Sequence, residues 1–187
     1  MTKTAKIFLF AFALLLMPIV ASAQVDSFGK TDTLYAELAK IDNQNWSITV
    51  SLTNDEPIVG LAVPFRMTAG PTRVVADSAI YTGGRVETFA FKNFRPDTTI
   101  QCVTLGMIAN LGPTRNFLAP GSGRLVTIFV SSLDESTIDK LTIDTTTTSP
   151  NNSLMVIADN IQGTDTIQSE DRERMKIFPV FVIKESK

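Results

Sequence analysis

The sequence predicts an all-β fold, a two-sheet β-sandwich or jelly roll of about nine to ten strands. Short segments in which apolar and polar residues alternate recur along the chain, and glycine, proline and asparagine separate them. Alternation with a period of two is typical of half-buried strands, whereas helical periodicity is scarce. Threonine is abundant, including the run Thr145–Thr148, and β-branched side chains favour strands over helices.

Residues 1–23 are predicted to be a secretory signal peptide. A lysine-containing start is followed by an apolar stretch over 7–20, and Ala21 and Ala23 then form an A-x-A cleavage site. The stretch is shorter than the ~20 apolar residues that span a bilayer. We expect cleavage before Gln24, with a short N-terminal membrane anchor as the alternative. The mature chain is then exported, to the periplasm, the cell surface or the medium, and has no membrane span.

Composition excludes several classes of chemistry. The 187 residues contain no histidine and one cysteine, Cys102, which removes imidazole catalysis, histidine metal sites, intrachain disulfides and Cys-x-x-Cys motifs. A net charge of −2 argues against a nucleic-acid partner, which would favour a basic excess. Neither a Gly-x-Ser-x-Gly elbow nor a phosphate-binding loop is present. No catalytic residue is predicted, and the chain is not expected to be an enzyme.

The clearest strand begins at Trp46, where apolar side chains alternate with serine and threonine as far as Thr53. A turn over 54–57 leads into a second alternating run over 61–67. Pro64 cannot donate a ladder hydrogen bond, so this strand is expected to lie at a sheet edge or to be bulged. Further strands are predicted over 73–81, 86–93, 99–108, 124–131, 140–145, 154–158 and 177–183, with a long surface loop over 109–123 and a flexible turn at its Gly121-Ser122-Gly123. A helix is an alternative only over 33–40 and 133–140.

The order of these features resembles the cohesin-like β-sandwiches of exported bacterial proteins, which are fold relatives of some carbohydrate-binding modules. The segments that carry the resemblance are 46–55, 58–65, 121–130 and 177–181. They correspond to a Val/Ile strand, an Asn-containing turn, a Gly-Leu strand and a late Gly-x-Leu-x-x-Ile-x-Phe-like strand. We therefore predict a lead-in over 24–31 and one cohesin-like domain over 32–184.

The resemblance implies a non-catalytic domain that recognises an extracellular or cell-surface protein, with a dockerin-like partner as one candidate. In that family the partner docks on one sheet face, to which the third and fifth strands contribute. Carried over by pattern, the polar positions of this face are Arg66 and Thr68 on the third strand and Lys92 on the fifth. Two alternatives stay open: a carbohydrate-binding module that takes a polysaccharide, and a structural domain that associates with its own copies through the edge of the 61–67 strand.

The aromatic residues give a sugar platform little support, because such a platform needs rings presented flat to the ligand. Trp46 shares the apolar side of its strand and is predicted to lie in the core. Tyr35 and Tyr81 are isolated. Most phenylalanines occupy alternating apolar positions, and this group includes Phe65, Phe89, Phe91, Phe129 and Phe181.

Two oxygen-rich stretches are candidates for a structural calcium ion, which needs six to eight oxygen ligands. One is Asp42-Asn43-Gln44-Asn45, and the other combines Asp159, Asn160 and Asp165. Neither has the spacing of an EF-hand loop, and Asp and Asn are common in tight turns. We therefore predict plain turns and no cofactor, with a structural calcium ion as the alternative. Cys102, in an apolar strand without a neighbouring base, is predicted to be a small buried hydrophobe.

Overall fold

The computed structural model describes residues 26, 29–110, 116–148, 153–158 and 175–184. These residues form eleven strands in two sheets and contain no helix, so the predicted all-β two-sheet sandwich is confirmed. No helix in this part of the chain is therefore long and apolar enough to cross a membrane. The strands are β1 (Thr33–Lys40), β2 (Asn45–Asn54), β3 (Ile58–Thr68), β4 (Val74–Ile80), β5 (Phe91–Asp97), β6 (Cys102–Ile108), β7 (Gly121–Ser132), β8 (Thr142–Thr145), β9 (Met155–Ala158), β10 (Lys176–Ile177) and β11 (Val180–Lys184).

The first sheet has five strands in the order β11-β1-β2-β7-β4. β11 runs parallel to β1, and the other neighbours are antiparallel. The alternation that predicted β2 is observed, since Ile48, Val50 and Leu52 are fully buried. The segment 33–40 is strand β1 rather than a helix. Its buried side chains recur every second residue, which matches a strand and not the helical period of 3.6.

The second sheet has six strands. β10, β9, β3, β6 and β5 lie in that order, and β8 also pairs with β3. β3 is thus an interior strand, and the predicted edge or bulge at Pro64 is wrong. β9 pairs with β3 as far as Ala62, and the pairing with β8 begins at Phe65, so β9 and β8 lie end to end along the same side of β3. Pro64 lies in the gap between them and still accepts a hydrogen bond from the Thr146 amide at 3.4 Å. Because its missing N–H faces this gap, no ladder bond is lost.

One predicted strand begins later than expected, and a helix considered as an alternative is not observed. The predicted strand over 86–93 starts only at Phe91. Before it lie consecutive turns, in which the Glu87 amide donates to the Gly84 carbonyl and the Phe89 amide to the Val86 carbonyl, at 3.0 and 3.1 Å. Val86 and Phe89 are both buried, so the chain buries residues three apart here and not two apart. The segment 133–140 also contains no helix.

The predicted turn over 121–123 is instead the start of β7. Gly121 and Gly123 pair with Asn54 and Leu52 of β2. The Arg85 side chain covers these glycines, and a Cβ atom on Gly123 would lie 3.1 Å from Arg85 Cδ. Glycine is therefore used here for close approach, one of its roles within strands.

The half-buried Arg85 guanidinium connects three backbone carbonyls near this strand start. Nη1 donates to Leu52 O at 2.9 Å and to Gly121 O at 3.1 Å, and Nη2 donates to Ala119 O at 2.5 Å. Burial lowers the pKa of Arg85 from its ordinary value, against the opposing effect of Asp32. Arg85 thereby holds the loop before β7 against β2.

The core lies between the two sheets and is formed by the inward side chains of both. Phe65 of β3 is fully buried, and its ring meets that of Phe181 on β11 with 5.4 Å between centroids. Since β3 and β11 belong to different sheets, this aromatic pair joins them directly. Aromatic pairs at such distances add ~0.5–1.5 kcal/mol to the stabilisation from burial.

We expect Arg85→Met to lower the free energy of unfolding by about 2–4 kcal/mol, because three carbonyls lose a charged hydrogen-bond donor. Urea unfolding measures the change. Arg73→Met is the matched control. Its guanidinium is exposed and donates to one carbonyl, that of Thr98, so we expect a loss within about 1 kcal/mol. Equal losses in the two variants would contradict this role for Arg85.

Phe65→Ala is expected to lower the free energy of unfolding by about 3–5 kcal/mol through the cavity it leaves. A double-mutant cycle with Phe181→Ala should give a coupling energy of about 0.5–1.5 kcal/mol. Thr68→Ala, on an exposed position of the same strand, should stay within about 0.5 kcal/mol. A coupling energy near zero would show that the ring contact does not connect the sheets energetically.

Candidate functional site

The outward surface of the six-stranded sheet, here called the outer face, is the candidate site. On β3 the inward side chains are Leu61, Val63, Phe65 and Met67, all buried. The alternate positions from Ala62 to Thr68 point outward, because successive side chains of a strand lie on opposite sides. The register extends this assignment to the neighbours: directly paired residues share a side, so Thr104 and Arg95 lie beside Pro64 on the outer face.

An apolar row crosses the outer face near the start of β3. Ile157, Gly60, Ile108 and Phe91 are paired in sequence across β9, β3, β6 and β5. Phe91 is 42% exposed and Ile108 41% exposed. Ile157 covers Gly60, since a Cβ atom there would lie 3.3 Å from Ile157 Cδ1. The row is therefore a continuous apolar strip that reaches the sheet edge at β5.

Polar side chains occupy the opposite end of the outer face. Arg66 is paired with Asp144 of β8, and Thr68 is paired with Thr142. All four residues are exposed. The Thr142 hydroxyl donates to the Thr68 carbonyl at 3.1 Å. The outer face thus combines an apolar strip with a patch that carries both signs of charge.

The structure brings together two of the three residues predicted for a binding face. Arg66 and Thr68 lie on the outer face, but Lys92 does not. Lys92 is paired with Met107, which is fully buried. Its Nζ donates to the carbonyls of Glu87 at 2.9 Å and Phe89 at 2.5 Å, so it caps the preceding turns.

Phe91 was missed because the alternation in the sequence assigned it to the core with Phe89. The turns over 84–90 interrupt that alternation, so Phe89 is buried and Phe91 is exposed. Ile108 was likewise not singled out, as it ends an apolar strand. The polar residues Lys92 and Asn93, directly after Phe91, were a hint that the alternation changes phase where β5 begins.

The three residues considered for sugar binding are all in contact with other parts of the chain. Trp46 packs against the core, and its Nε1 donates to the Ile138 carbonyl at 3.3 Å. The Tyr35 ring lies under Lys184 Nζ at 4.1 Å from its centroid. Tyr81 is partly buried, and its hydroxyl donates to the Asn93 carbonyl at 3.4 Å. The three residues belong to different elements, with Tyr35 on β1, Trp46 on β2 and Tyr81 directly after β4.

Asp42–Asn45 forms the β1–β2 turn, as predicted. The Asp42 carboxylate accepts from the Gln44 and Asn45 amides at 2.7 and 2.8 Å and from Asn45 Nδ2. The Asn45 side chain and these amides lower the pKa of Asp42. Asp159, Asn160 and Asp165 lie outside the described residues.

Cys102 is buried and its Sγ donates to the Ile100 carbonyl at 3.4 Å, as expected of a small buried hydrophobe.

A different acidic cluster appears where the lead-in meets the β2–β3 turn. Asp26, Asp32, Asp55 and Glu56 each place one carboxylate oxygen within 4.8 Å of the others. Burial raises the pKa of Asp32 to about 7. Burial, together with the nearby Asp32 charge, raises the pKa of Glu56 to about 8. Sequence reasoning missed this cluster because two strands separate Asp32 from Asp55, and only their pairing brings the acids together.

Comparison with solved structures places the fold among cohesin modules. The chain matches a chain of the novel type I cohesin–dockerin complex Coh-OlpC-Doc435 from Clostridium thermocellum with a TM-score of 0.53 and 6% identity, over 87% of this chain and 99% of that one. It matches the sixth cohesin of Acetivibrio cellulolyticus scaffoldin B, solved with the Cel5 dockerin, with a TM-score of 0.51 and 5% identity, over 82% and 99%.

A chain of the CaDoc0917–CaCohA2 complex, solved at pH 5.5, gives a TM-score of 0.50 and 10% identity, over 83% of this chain and 100% of that one. No protein-family model and no curated protein matches the sequence. The likeness is therefore one of architecture, and it covers nearly the whole length of each matched chain. The chain has a cohesin-like β-sandwich fold.

Proposed function

We propose that this chain is an exported, non-catalytic domain that recognises another protein through the outer face of its six-stranded sheet. The observation that carries the proposal is the apolar row with Phe91 and Ile108 exposed side by side. An exposed apolar strip bordered by polar residues is typical of interaction sites. The outer face also has the anatomy of protein interfaces, with aromatic and aliphatic contacts beside arginine and a polar rim.

The solved structures with this fold support a protein partner. Two of the three compared above are described as complexes of a cohesin with a dockerin. By analogy, the partner proposed here is a dockerin-like or other extracellular module that lies across β3, β6 and β5. Within this proposal Arg66 and Thr68 contribute the polar contacts. Lys92 contributes only by holding the turn that precedes Phe91.

A carbohydrate ligand is less well supported. Stacking on sugars uses aromatic rings held flat and exposed. Trp46 and Tyr81 pack against the core instead, and Lys184 Nζ lies over the Tyr35 ring. Phe91 is one exposed ring on the outer face, and the residue paired with it on β6, Ile108, is aliphatic.

Export is supported by the predicted signal peptide over 1–23, and it would bring the domain to the compartment where such modules assemble.

The test uses the full chain, immobilised, with two probes: purified type I dockerin modules and the exported proteins of the source organism. Binding is measured by surface plasmon resonance with calcium and then with chelator. We expect saturable binding of one protein. Phe91→Ala and Arg66→Glu should each weaken it at least tenfold, about 1.4 kcal/mol, because they remove an apolar anchor and reverse a charge.

Glu37→Arg is the matched control, since it reverses an exposed charge on β1 in the other sheet. It should leave the affinity unchanged. Saturable binding that survives both outer-face substitutions would contradict the assigned surface. Capture of a polysaccharide and of no protein would replace the proposal with the carbohydrate-binding alternative.

A further inference from the structure

We infer that Asp26, Asp32, Asp55 and Glu56 form a structural calcium site that ties the N-terminal lead-in to the β2–β3 turn. The site is distinct from the outer face and does not depend on the proposed function. Two of its residues, Asp26 and Asp32, come from the chain before β1, and the other two follow β2 directly. A cation at this position would therefore crosslink two segments that are far apart in sequence.

The geometry of the acidic cluster suits one ion. One oxygen from each of the four residues lies within 4.8 Å of the other three. Calcium binds oxygens at 2.3–2.6 Å, so ligands on opposite sides of the ion are about 4.6–5.2 Å apart. The spacing of the four oxygens is therefore compatible with one shared calcium ion. Asp55 Oδ2 also accepts from the Lys30 amide at 2.8 Å, which fixes the orientation of that carboxylate.

A second observation concerns hydrogen bonding. Asp32 is 1% exposed and Glu56 is 7% exposed. None of their four carboxylate oxygens accepts a hydrogen bond from the part of the chain that the structure describes. Buried carboxylates are normally hydrogen-bonded, paired with a cation or bound to a metal. The nearby Arg85 lies within electrostatic reach of Asp32, but its guanidinium donates to three carbonyls and to none of these four oxygens.

The neighbouring Asn54 adds a further unused oxygen. Its Nδ2 donates to the Glu56 carbonyl at 2.6 Å, and its Oδ1 is buried without a partner among the described residues. The candidate metal ligands at this end of the sandwich are thus all oxygen atoms, and most of them belong to carboxylates. Oxygen-only sets favour calcium or magnesium over zinc or copper. Magnesium usually keeps several waters and uses one or two carboxylates, so a set of four carboxylates, two of them buried, favours calcium.

Without a cation, protons must compensate the clustered charge. The raised pKa values of Asp32 and Glu56 are consistent with a proton held between the two carboxyl groups. The two states differ in a measurable way: a calcium site gains stability from added calcium, whereas a carboxyl pair that binds only protons does not.

The experiment is thermal unfolding of the full chain in chelator and in calcium up to about 10 mM, roughly ten times the weakest dissociation constant of extracellular calcium modules, which is about 1 mM. The Tm should rise saturably. At 100 times the dissociation constant the expected rise is about 5–10 °C for a chain of this size. Magnesium at equal concentration should give less than half of this rise. Equilibrium dialysis should find calcium bound at the same concentrations.

The discriminating variant is the double substitution Asp32→Asn with Glu56→Gln, which keeps the shapes and removes the charges. It should abolish the calcium-dependent rise, while its Tm in chelator stays at or above that of the unmodified chain. Glu37→Gln, an exposed acid outside the cluster, should keep the full rise. If the double variant does not fold, the exposed Asp55→Asn replaces it, with a tenfold weaker calcium affinity expected. No calcium effect on the unmodified chain, or a rise retained in the variant, would overturn the inference.

Discussion

The pairing of β3 with its neighbours determines most of what this molecule presents to its surroundings. β6 lies on one side of it, and β9 and β8 follow each other along the other side. This arrangement assigns Phe65 to the core and Arg66 to the outer face. It also aligns Gly60 with Ile108 and Ile157. A slip of one residue would exchange the two sides, so core and candidate site depend on the same register.

Local alternation predicts the strands well where one side of a strand is buried. β2 follows this rule from Ile48 onward, and β1 follows it as well once its pairing with β2 is known. Pro64 shows the limit of the rule. Proline excludes a ladder hydrogen bond, but the sequence does not reveal that two short strands meet opposite it and require none.

The candidate site was only partly predictable for the same reason. Arg66 and Thr68 follow from the phase of β3, which the sequence shows clearly. The phase of β5 depends on where the preceding turns end, and a shift there moves Lys92 inward and Phe91 outward. Tertiary pairing, and not the composition of the segment, decides which of the two reaches the surface.

The acidic cluster is held together by the backbone, and this explains why its charge needs compensation. The Asp32 carbonyl accepts from the Val180 amide at 2.8 Å, which anchors the start of β1 to β11. Glu56 lies two residues before Ile58, whose amide and carbonyl both bond to Leu118, at 3.0 and 2.7 Å. Like charges on freely moving side chains separate and become solvated, but buried groups on anchored segments cannot do so. Repulsion between the buried Asp32 and Glu56 carboxylates is therefore reduced by protons or by a cation, and not by movement of the strands.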